Sequence, residues 1–415
     1  MPQTYDAIVI GAGVIGASSA LHLAHTGLGK ILVLEKAPGV GFGSTGKSSA
    51  CIRQTYSHQE VVLMAREATE RFHNWQEFVG LKETRADFRN IGVLFLFPPG
   101  DTSPESIIAN HKATGVKSSR LTVADALKEF PDLHDCGAPL DLAGEDHDCL
   151  AGFEAIHEPD GGFADPVGTA EDMLEAARNK GVEVRFRSQV ENILQSGGKV
   201  TGVQANINGN REEIHAPIVV NCAGPWAMGL NELAGVPLRE NLVATRIQVV
   251  GKRFTETLKG GLPMVADMIT GVYFRPDPTG SQIILGSVLD EDEREAVTDP
   301  DNYNEVADAP FREEKLTLLH HRIPTFHTRG DVSSYCGLYT VNREDTHPII
   351  DGSDLQGYFY VNGFSGHGFK LSPVVGNIVA QKVTGQQGLG STGVPINFFD
   401  RNRKPHTTLW GGVIA

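Results

Sequence analysis

The 415-residue sequence lacks several features that would each point to a different class of protein. No window approaches the roughly 18 consecutive apolar residues of a membrane-spanning helix, so we expect no membrane span. Lys and Arg number 36 against 51 Asp and Glu, and the formal charge is −15. Nucleic acid is therefore not an expected partner, because phosphate binding needs concentrated basic residues. Internal repeats and low-complexity tracts are also absent.

Cysteine is scarce and irregularly spaced. The five cysteines, Cys51, Cys136, Cys149, Cys222 and Cys336, form no CxxC pair and no other spacing typical of a metal site. We therefore predict neither a disulfide framework nor a bound metal, and the pattern fits a reducing compartment. No basic segment precedes a cleavable apolar stretch at the N-terminus, so the sequence predicts a cytoplasmic protein.

Glycine, by contrast, is abundant at 47 residues and indicates tight turns and close approaches of backbone to a ligand. A strand is predicted over 5–10, a helix over 14–26 and a second strand over 31–35. The turn between the first strand and the helix reads Gly-x-Gly-x-x-Gly, and the second strand ends in a carboxylate. This βαβ unit is typical of dinucleotide binding, with phosphates at the helix N-terminus and ribose hydroxyls on the carboxylate. The predicted cofactor-binding residues of this unit are Gly11, Gly13, Val14, Ile15, Gly16, Glu35 and Lys36.

The motif alone leaves NAD possible, and the loop after the second strand favours FAD. Ser44, Thr45, Ser48 and Ser49 lie in a polar loop of small residues that can wrap the remainder of a large, extended cofactor. The segment from Gly41 to Ser48 also matches the spacing of a phosphate loop. We reject a nucleotide-triphosphate site there, because no strand–loop–helix context fits it.

The predicted elements further along the chain suggest two domains, one of which is inserted into the sequence of the other. Helices are predicted over 58–79, 165–181 and 372–384; strands over 182–186, 200–207, 216–224 and 358–361; and a solvated loop at the acidic run 290–293. The expected fold is α/β (α+β overall), a Rossmann-type FAD-binding domain with an inserted antiparallel-sheet substrate domain. We predict the FAD-binding domain at 1–85, 153–228 and 335–390, the substrate domain at 86–152 and 229–334, and a C-terminal tail at 391–415.

Several motifs together resemble one family of flavoproteins. The chain is similar to the sarcosine oxidase and dimethylglycine dehydrogenase branch of the D-amino-acid-oxidase superfamily, which are FAD enzymes acting on amino acids at the C–N bond. The resemblance spans nearly the whole chain in the same order. Besides the N-terminal fingerprint, it rests on residues 44–53, 158–166, 221–226, 271–276, 337–340, 345–351 and 363–370.

The resemblance implies a placement for the flavin and the substrate. Arg53 and Lys370 would hold a substrate carboxylate, as a planar guanidinium with a nearby ammonium can do. Tyr273 could close over the substrate or belong to the core, and His367 would contact the flavin more readily than act as a base. The further cofactor-binding residues that the resemblance implies are Val190, Cys222, Ala223, Gly224, Trp226, Gly337, Tyr339, Gly363, Gly366, His367, Gly368, Phe369 and Lys370.

Three positions depart from the family pattern. Where the monomeric oxidases attach FAD through a cysteine, this chain has Gly337, and Cys336 is one residue away, so we predict non-covalent FAD. Ile284 replaces a lysine credited with activating oxygen, which makes a quinone or an electron-accepting protein as plausible an acceptor as oxygen. Ala50 replaces an additional arginine, which puts a substrate as small as sarcosine in doubt.

The predicted activity is oxidation of a secondary, N-methylated or cyclic amino acid, or a related amino acid, to an imine. The substrate is thus a small molecule, with two electrons passing to the flavin. Two alternatives stay open: an FAD subunit of a multi-subunit amino-acid dehydrogenase or oxidase, and a non-catalytic FAD-binding assembly factor.

Overall fold

The computed structural model describes residues 3–140, 142, 148–149, 152–238, 241–254 and 258–407. The helices within these residues are α1 Val14–His25, α2 Gln59–His73, α3 Trp75–Val79, α4 Ser103–Thr114, α5 Val123–Glu129, α6 Pro166–Asn179, α7 Ala227–Leu233, α8 Ala309–Arg322 and α9 Gly368–Thr384. The strands are β1 Gln3–Thr4, β2 Ala7–Ile10, β3 Ile31–Leu34, β4 Cys51–Ile52, β5 Arg89–Asn90, β6 Val93–Phe97, β7 Ser119–Leu121, β8 Glu154–Glu158, β9 Gly162–Phe163, β10 Glu183–Arg185, β11 Ser188–Ser196, β12 Lys199–Ile207, β13 Asn210–His215, β14 Val219–Asn221, β15 Leu242–Arg253, β16 Met264–Asp267, β17 Val272–Pro276, β18 Gln282–Ser287, β19 Val332–Asn342, β20 Ile349–Gly352 and β21 Tyr358–Asn362.

A six-stranded sheet forms the centre of the cofactor side, with the order β10-β3-β2-β14-β21-β20. All neighbouring pairs are parallel except β20 with β21. Every residue of β2 and β3 is buried, as expected for parallel strands covered on both faces. Helices α1, α6 and α9 pack together beside this sheet. Gly376 permits the close approach of α9, because a Cβ there would lie 2.3 Å from the Ser18 carbonyl oxygen.

A second, eight-stranded sheet has the order β19-β15-β18-β17-β16-β6-β8-β7. Its pairs are antiparallel apart from β16 with β6. Its apolar side chains, such as Phe274 and Leu285, share one core with Phe311 and Leu319 of α8. The predicted architecture, a Rossmann-type unit with an additional largely antiparallel sheet, is confirmed. A four-stranded sheet (β1-β13-β12-β11) and a three-stranded sheet (β4-β9-β5) complete the fold.

The predicted domain boundaries remain a prediction. We note that β8 and β19, which those boundaries assign wholly or largely to the FAD-binding segments, pair within the eight-stranded sheet. Of the predicted C-terminal tail, residues 408–415 lie outside the described residues. Among the described helices, none combines the length and apolar character needed to cross a membrane.

The helix predicted over 372–384 begins earlier, at Gly368, and the strand predicted over 216–224 is limited to Val219–Asn221. Two other predicted elements differ from the structure in kind. The single helix expected over 58–79 is divided into α2 and α3, because Asn74 leaves helical geometry with φ −115° and ψ 36°. The acidic run is a short 3₁₀ helix, Asp290–Glu293, rather than a solvated loop. Asp292 pairs with Lys315 at 2.8 Å, and burial together with Asp290 raises the pKa of Glu293 to about 7.

Candidate functional site

A cavity of about 570 Å³ lies where several parallel strands of the six-stranded sheet end. Gly11 follows β2, Glu35 follows β3 and Cys222 follows β14, and all three residues line the cavity. Ligands of doubly wound sheets bind at this edge, outside the carboxyl ends of the strands. The N-terminus of α1 also faces the cavity through Gly13 and Val14.

Most of the predicted cofactor-binding residues line this one cavity. They are Gly11, Gly13, Val14, Ile15, Glu35, Lys36, Ser44, Thr45, Ser48, Val190, Cys222, Ala223, Gly224, Trp226, Tyr339, Gly366, Gly368 and Phe369. These positions span residues 11 to 369. The fold brings them together because the loops after β2, β3 and β14 end at the same edge of the six-stranded sheet, while β11 and β19 of two other sheets add Val190 and Tyr339 to the wall.

The glycines of the fingerprint are required by close contacts. Gly11 has φ +99°, and a Cβ there would lie 2.7 Å from the Cys222 carbonyl oxygen. A Cβ at Gly16 would lie 1.9 Å from the Gly11 carbonyl oxygen, so Gly16 packs the helix against the turn and does not line the cavity. Thr45 accepts a hydrogen bond from the Val14 N–H at 3.1 Å. The first turn of α1 contains no acidic residue, which leaves its positive end suited to an anion.

The residues around the fingerprint fit an extended dinucleotide. Glu35 accepts hydrogen bonds of 2.8 Å from the N–H groups of Ala12 and Ala37, which fixes its carboxylate at the cavity wall. A carboxylate has about four acceptor sites, so ribose hydroxyls can still donate to it. Lys36 lies 3.8 Å from the centre of the Trp226 ring. The buried Trp226 Nε1, in the same wall, has no hydrogen-bond partner among the described residues.

The other predicted cofactor-binding residues lie outside the cavity wall. Gly363, with φ +81°, packs against Leu242, and the Ser49 carbonyl accepts a hydrogen bond from Arg275. His367 and Lys370 lie beside the wall, next to Arg53, as described below. Gly337 faces Lys47, and a Cβ there would lie 2.7 Å from the Lys47 Cβ. A larger side chain at position 337 would therefore displace the loop that carries Lys47.

Cys336 does not reach the cavity. It is fully buried and belongs to the core beneath the eight-stranded sheet. Its N–H donates to the Glu305 carbonyl at 2.8 Å. Cys222 does line the cavity, where burial raises the pKa of its thiol to about 12 and keeps it protonated.

The structure brings Arg53, His367 and Lys370 together in a buried group, which we call the cation group. Arg53 is 1% exposed and Lys370 is 8% exposed. The Arg53 guanidinium lies 4.3 Å from the centre of the Tyr56 ring, whose centroid is 5.2 Å from that of His367. Arg53 donates to the Thr55 carbonyl, and Lys370 donates to the Gly366 carbonyl at 3.2 Å.

The cation group has unused hydrogen-bonding capacity. Arg53 Nε and Nη2 and His367 Nδ1 are buried and have no hydrogen-bond partner within the described part of the chain. Burial and Arg53 together lower the pKa of Lys370 to about 7. Burial and Lys370 lower the pKa of His367 well below its usual value, so this imidazole is neutral. Glu293 opposes the charge of Lys370 only in part. A buried charge that is incompletely paired is costly, and a bound anion would relieve that cost.

Tyr273 and Tyr339 lie in the buried region around these residues. Tyr273 belongs to a core cluster with Cys51, and its ring packs on Gly286, where a Cβ would lie 2.7 Å from the ring. Burial and Cys51 raise the pKa of Tyr273, so it is a neutral phenol. Gly366 packs on the Tyr339 ring, and a Cβ at position 366 would lie 2.5 Å from that ring. Ile284 pairs with Arg275 across β17 and β18.

One part of the cavity wall carries no residue that the sequence predicted to bind the cofactor. Pro300, Asp301, Tyr303 and Glu305 line the cavity from the segment between the 3₁₀ helix and α8. Asp301 pairs with Lys36 at 2.5 Å, and Glu305 pairs with Lys47 at 3.4 Å. This segment has no motif, and only the complementary charges of Lys36 and Lys47 could have suggested that it lies near the fingerprint.

Comparison with known proteins agrees with this geometry. The profile of the DAO family, described as FAD dependent oxidoreductase, matches residues 6–382. The chain belongs to this family. FAD is therefore its cofactor, and the expected resemblance to the sarcosine oxidase-like branch is confirmed.

Relatives of this DAO family chain include amino-acid oxidoreductases. It is 28% identical to FAD-dependent oxidoreductase domain-containing protein 1 of Xenopus laevis, over 92% of this chain and 79% of that one. It is 25% identical to peroxisomal sarcosine oxidase of Mus musculus, over 90% and 91%. The structure of L-proline dehydrogenase from P. horikoshii superimposes with a TM-score of 0.79 at 25% identity, covering 97% of this chain and 98% of that one. Because one of these relatives is peroxisomal, a cytoplasmic location stays a prediction.

Proposed function

We propose that this oxidoreductase converts a secondary, N-methylated or cyclic amino acid to the corresponding imine. The observation that carries the proposal is the cation group, in which the buried Arg53 retains two unpaired guanidinium nitrogens next to Lys370. A planar carboxylate matches that arrangement, because it can accept two parallel hydrogen bonds from a guanidinium. Bound FAD would supply the two-electron acceptor for the reaction.

In this proposal the chain's residues bind and orient the substrate. Arg53 pairs with the carboxylate, and Lys370 adds a second charge when it takes up a proton. His367 and Tyr273 are both neutral, so they add no charge that would compete with the carboxylate for Arg53. Because the group is buried, its electrostatic interactions with a bound anion are stronger than they would be in water. The orientation of the carboxylate then fixes where the amine and its neighbouring carbons lie.

FAD would be held without a covalent bond in this proposal. Lys47 occupies the space that a side chain at position 337 would need, and Cys336 belongs to a separate core. Acid precipitation of the purified protein should release all of the yellow flavin into the supernatant. Flavin that stays with the precipitate would contradict this part of the proposal.

The electron acceptor is a second point of the proposal. Ile284 supplies no charge at the position where the family's oxygen-activating lysine is expected. We therefore propose that an electron-accepting protein or a quinone reoxidises the flavin faster than oxygen does. Turnover with an artificial dye should exceed turnover with oxygen in air-saturated buffer, and the reverse order would contradict it.

The substrate class can be tested by anaerobic mixing of the FAD-loaded protein with N-methyl, cyclic and D-amino acids. At least one secondary amino acid should bleach the flavin rapidly. If no amino acid reduces the flavin, the proposed activity is wrong, and a non-catalytic FAD-binding protein would be the better description.

A further inference from the structure

Three potential metal ligands converge in the eight-stranded-sheet region, apart from the cofactor cavity. They are His134, Cys136 and Cys149, and one ligand atom of each lies within 4.8 Å of the other two. Cys136 is fully buried, Cys149 is exposed, and the His134 side chain is 39% exposed. The cluster is therefore buried on one side, at Cys136, and open to solvent on the other, so that an ion could enter it.

The backbone that carries two of these residues is held in place by a buried ion pair. Arg322 Nη1 donates to the His134 carbonyl at 2.7 Å and to the Cys136 carbonyl at 2.9 Å. The same guanidinium pairs with Asp267 at 2.8 Å, and both side chains are fully buried. Such an arrangement fixes the positions of His134 and Cys136 before any ligand binds.

A separate contact joins the chain just before Cys136 to the chain that follows Cys149. The Gly152 N–H donates to the Asp135 carbonyl at 2.9 Å, which brings the chain after Cys149 back to the chain beside Cys136. The fold thus produces a compact ligand set that spacing alone does not reveal. In the sequence, the triplet His-Asp-Cys occurs twice, at 134–136 and at 147–149.

We propose that His134, Cys136 and Cys149 form a Zn²⁺ site. Two thiolates and one imidazole are ligands that Zn²⁺ prefers, and a water molecule would complete the tetrahedron. Each thiol loses its proton to solvent when the metal binds, so two protons are released for each ion. The ion would tie together the two ends of the segment 137–148 and would play no part in substrate oxidation.

The chemistry favours a metal over a disulfide between Cys136 and Cys149. A disulfide would use the two sulfur atoms and leave the convergence of the His134 imidazole unexplained. A Zn²⁺ ion uses all three groups, and it is compatible with a reducing environment, in which a disulfide between these cysteines would not persist.

Cobalt binding provides a direct test. The FAD-loaded protein, reduced and freed of metal with a chelator, is titrated with Co²⁺ under anaerobic conditions. We expect one equivalent to bind and to give the red-region absorption of a tetrahedral cobalt thiolate, where flavin does not absorb. Added Zn²⁺ should remove this absorption by displacing the cobalt.

The variants Cys149→Ser and His134→Ala should weaken Zn²⁺ binding by at least about 100-fold. Loss of a group that only hydrogen-bonds a metal ligand can cost that much, and these variants remove a ligand itself. Cys336→Ser is the control, since it removes a buried cysteine outside the cluster, and it should bind metal like the wild type. Zn²⁺ should also raise the Tm of the wild type but not that of Cys149→Ser.

The proposal is wrong if the reduced wild type binds no metal, or binds it no more tightly than Cys149→Ser does. Equal flavin content in the wild type and Cys149→Ser would establish that the variant is folded, so that a loss of metal reports on the ligand alone. A failure here would leave the proposed amino-acid oxidation untouched, because that activity is read from flavin bleaching.

Discussion

The cofactor cavity and the cation group lie side by side, but their polar groups are satisfied differently. In the cavity wall, Glu35, Ser44 and Thr45 all have backbone partners. In the cation group, Arg53 and His367 keep buried nitrogen atoms without partners among the described residues. Apart from Trp226 Nε1, the cavity wall is thus largely preformed, whereas the cation group leaves buried nitrogen atoms that a bound anion could pair, as we propose for the substrate carboxylate.

Substitution of Gly11 should have the largest effect on the cavity. Gly11→Ala puts a Cβ 2.7 Å from the Cys222 carbonyl oxygen at φ +99°, so the turn that we expect to hold the cofactor phosphates must move. A left-handed conformation alone costs a non-glycine residue about 1–2 kcal/mol. With the displaced turn added, we expect FAD affinity to fall at least ~100-fold, as measured by flavin content and fluorescence titration.

Gly27→Ala is the matched control for this prediction. Gly27 also has a positive φ, +74°, but it lies just after α1 and no atom lies within 4 Å of its Cβ position. It should lower stability slightly and leave FAD binding unchanged. If both variants bind FAD like the wild type, the cavity does not depend on the Gly11 turn.

Removal of Arg53 should mainly affect the substrate side. Arg53→Ala should lower kcat/KM by about 30- to 1,000-fold. This corresponds to a loss of ~2–4 kcal/mol in binding free energy, which is typical when one partner of a buried charge pair is truncated. Flavin content should not change, because Arg53 does not line the cavity. Steady-state kinetics check this, with the exposed Arg89→Ala as control. Unchanged kcat/KM in both Arg53→Ala and Lys370→Ala would remove the carboxylate assignment.

The depressed pKa of Lys370 predicts a pH dependence of carboxylate binding. In the free protein Lys370 loses its proton above about pH 7, and a bound carboxylate favours the charged form. Binding above that pH therefore takes up a proton, and Kd should rise by up to ~10-fold per pH unit. Cyclopentanecarboxylate, which has no amine to titrate, can be followed by its effect on the flavin spectrum.

Lys370→Met should flatten that pH profile, whereas Lys382→Met, on the same helix, should keep it. A wild-type profile that is flat between pH 6 and pH 9 would mean that Lys370 does not contact the carboxylate.

The smallest expected effect concerns the unpaired indole of the cavity wall. Trp226→Phe removes the Nε1–H that has no partner among the described residues and keeps an aromatic ring. If FAD accepts a hydrogen bond from it, affinity should fall by about 5-fold, the value of ~1 kcal/mol. Fluorescence titration with FAD measures this, and an unchanged Kd would place the indole away from any cofactor acceptor.

The sequence was informative where the site depends on backbone conformation and close backbone packing. The turn at Gly11 and the packing of Gly16 need glycine at fixed spacing, so the βαβ unit and the cavity around it could be predicted. The end of α9 at Thr384 was predicted for the same reason, because Gly385 follows it in a left-handed conformation.

The sequence was uninformative where function depends on distant side chains. The segment 300–305 reaches the cavity through ion pairs with Lys36 and Lys47, and no local pattern encodes such contacts. Glu293 was assigned to a solvated run because charge runs are usually exposed, whereas tertiary packing half-buries it. Burial of Arg53 could be inferred only through the family resemblance, and its unpaired nitrogens became visible only in the structure.

The most direct test of carboxylate binding by the cation group compares an amino acid with its amide. A secondary amino acid that reduces the flavin is mixed anaerobically with the wild type and with Arg53→Ala, beside the carboxamide of the same compound. In the wild type, the amino acid should reduce the flavin at least ~30-fold faster than the amide does, and Arg53→Ala should abolish that preference. Equal rates for the two compounds in the wild type, or a preference that survives in Arg53→Ala, would contradict the claim that the cation group binds the substrate carboxylate.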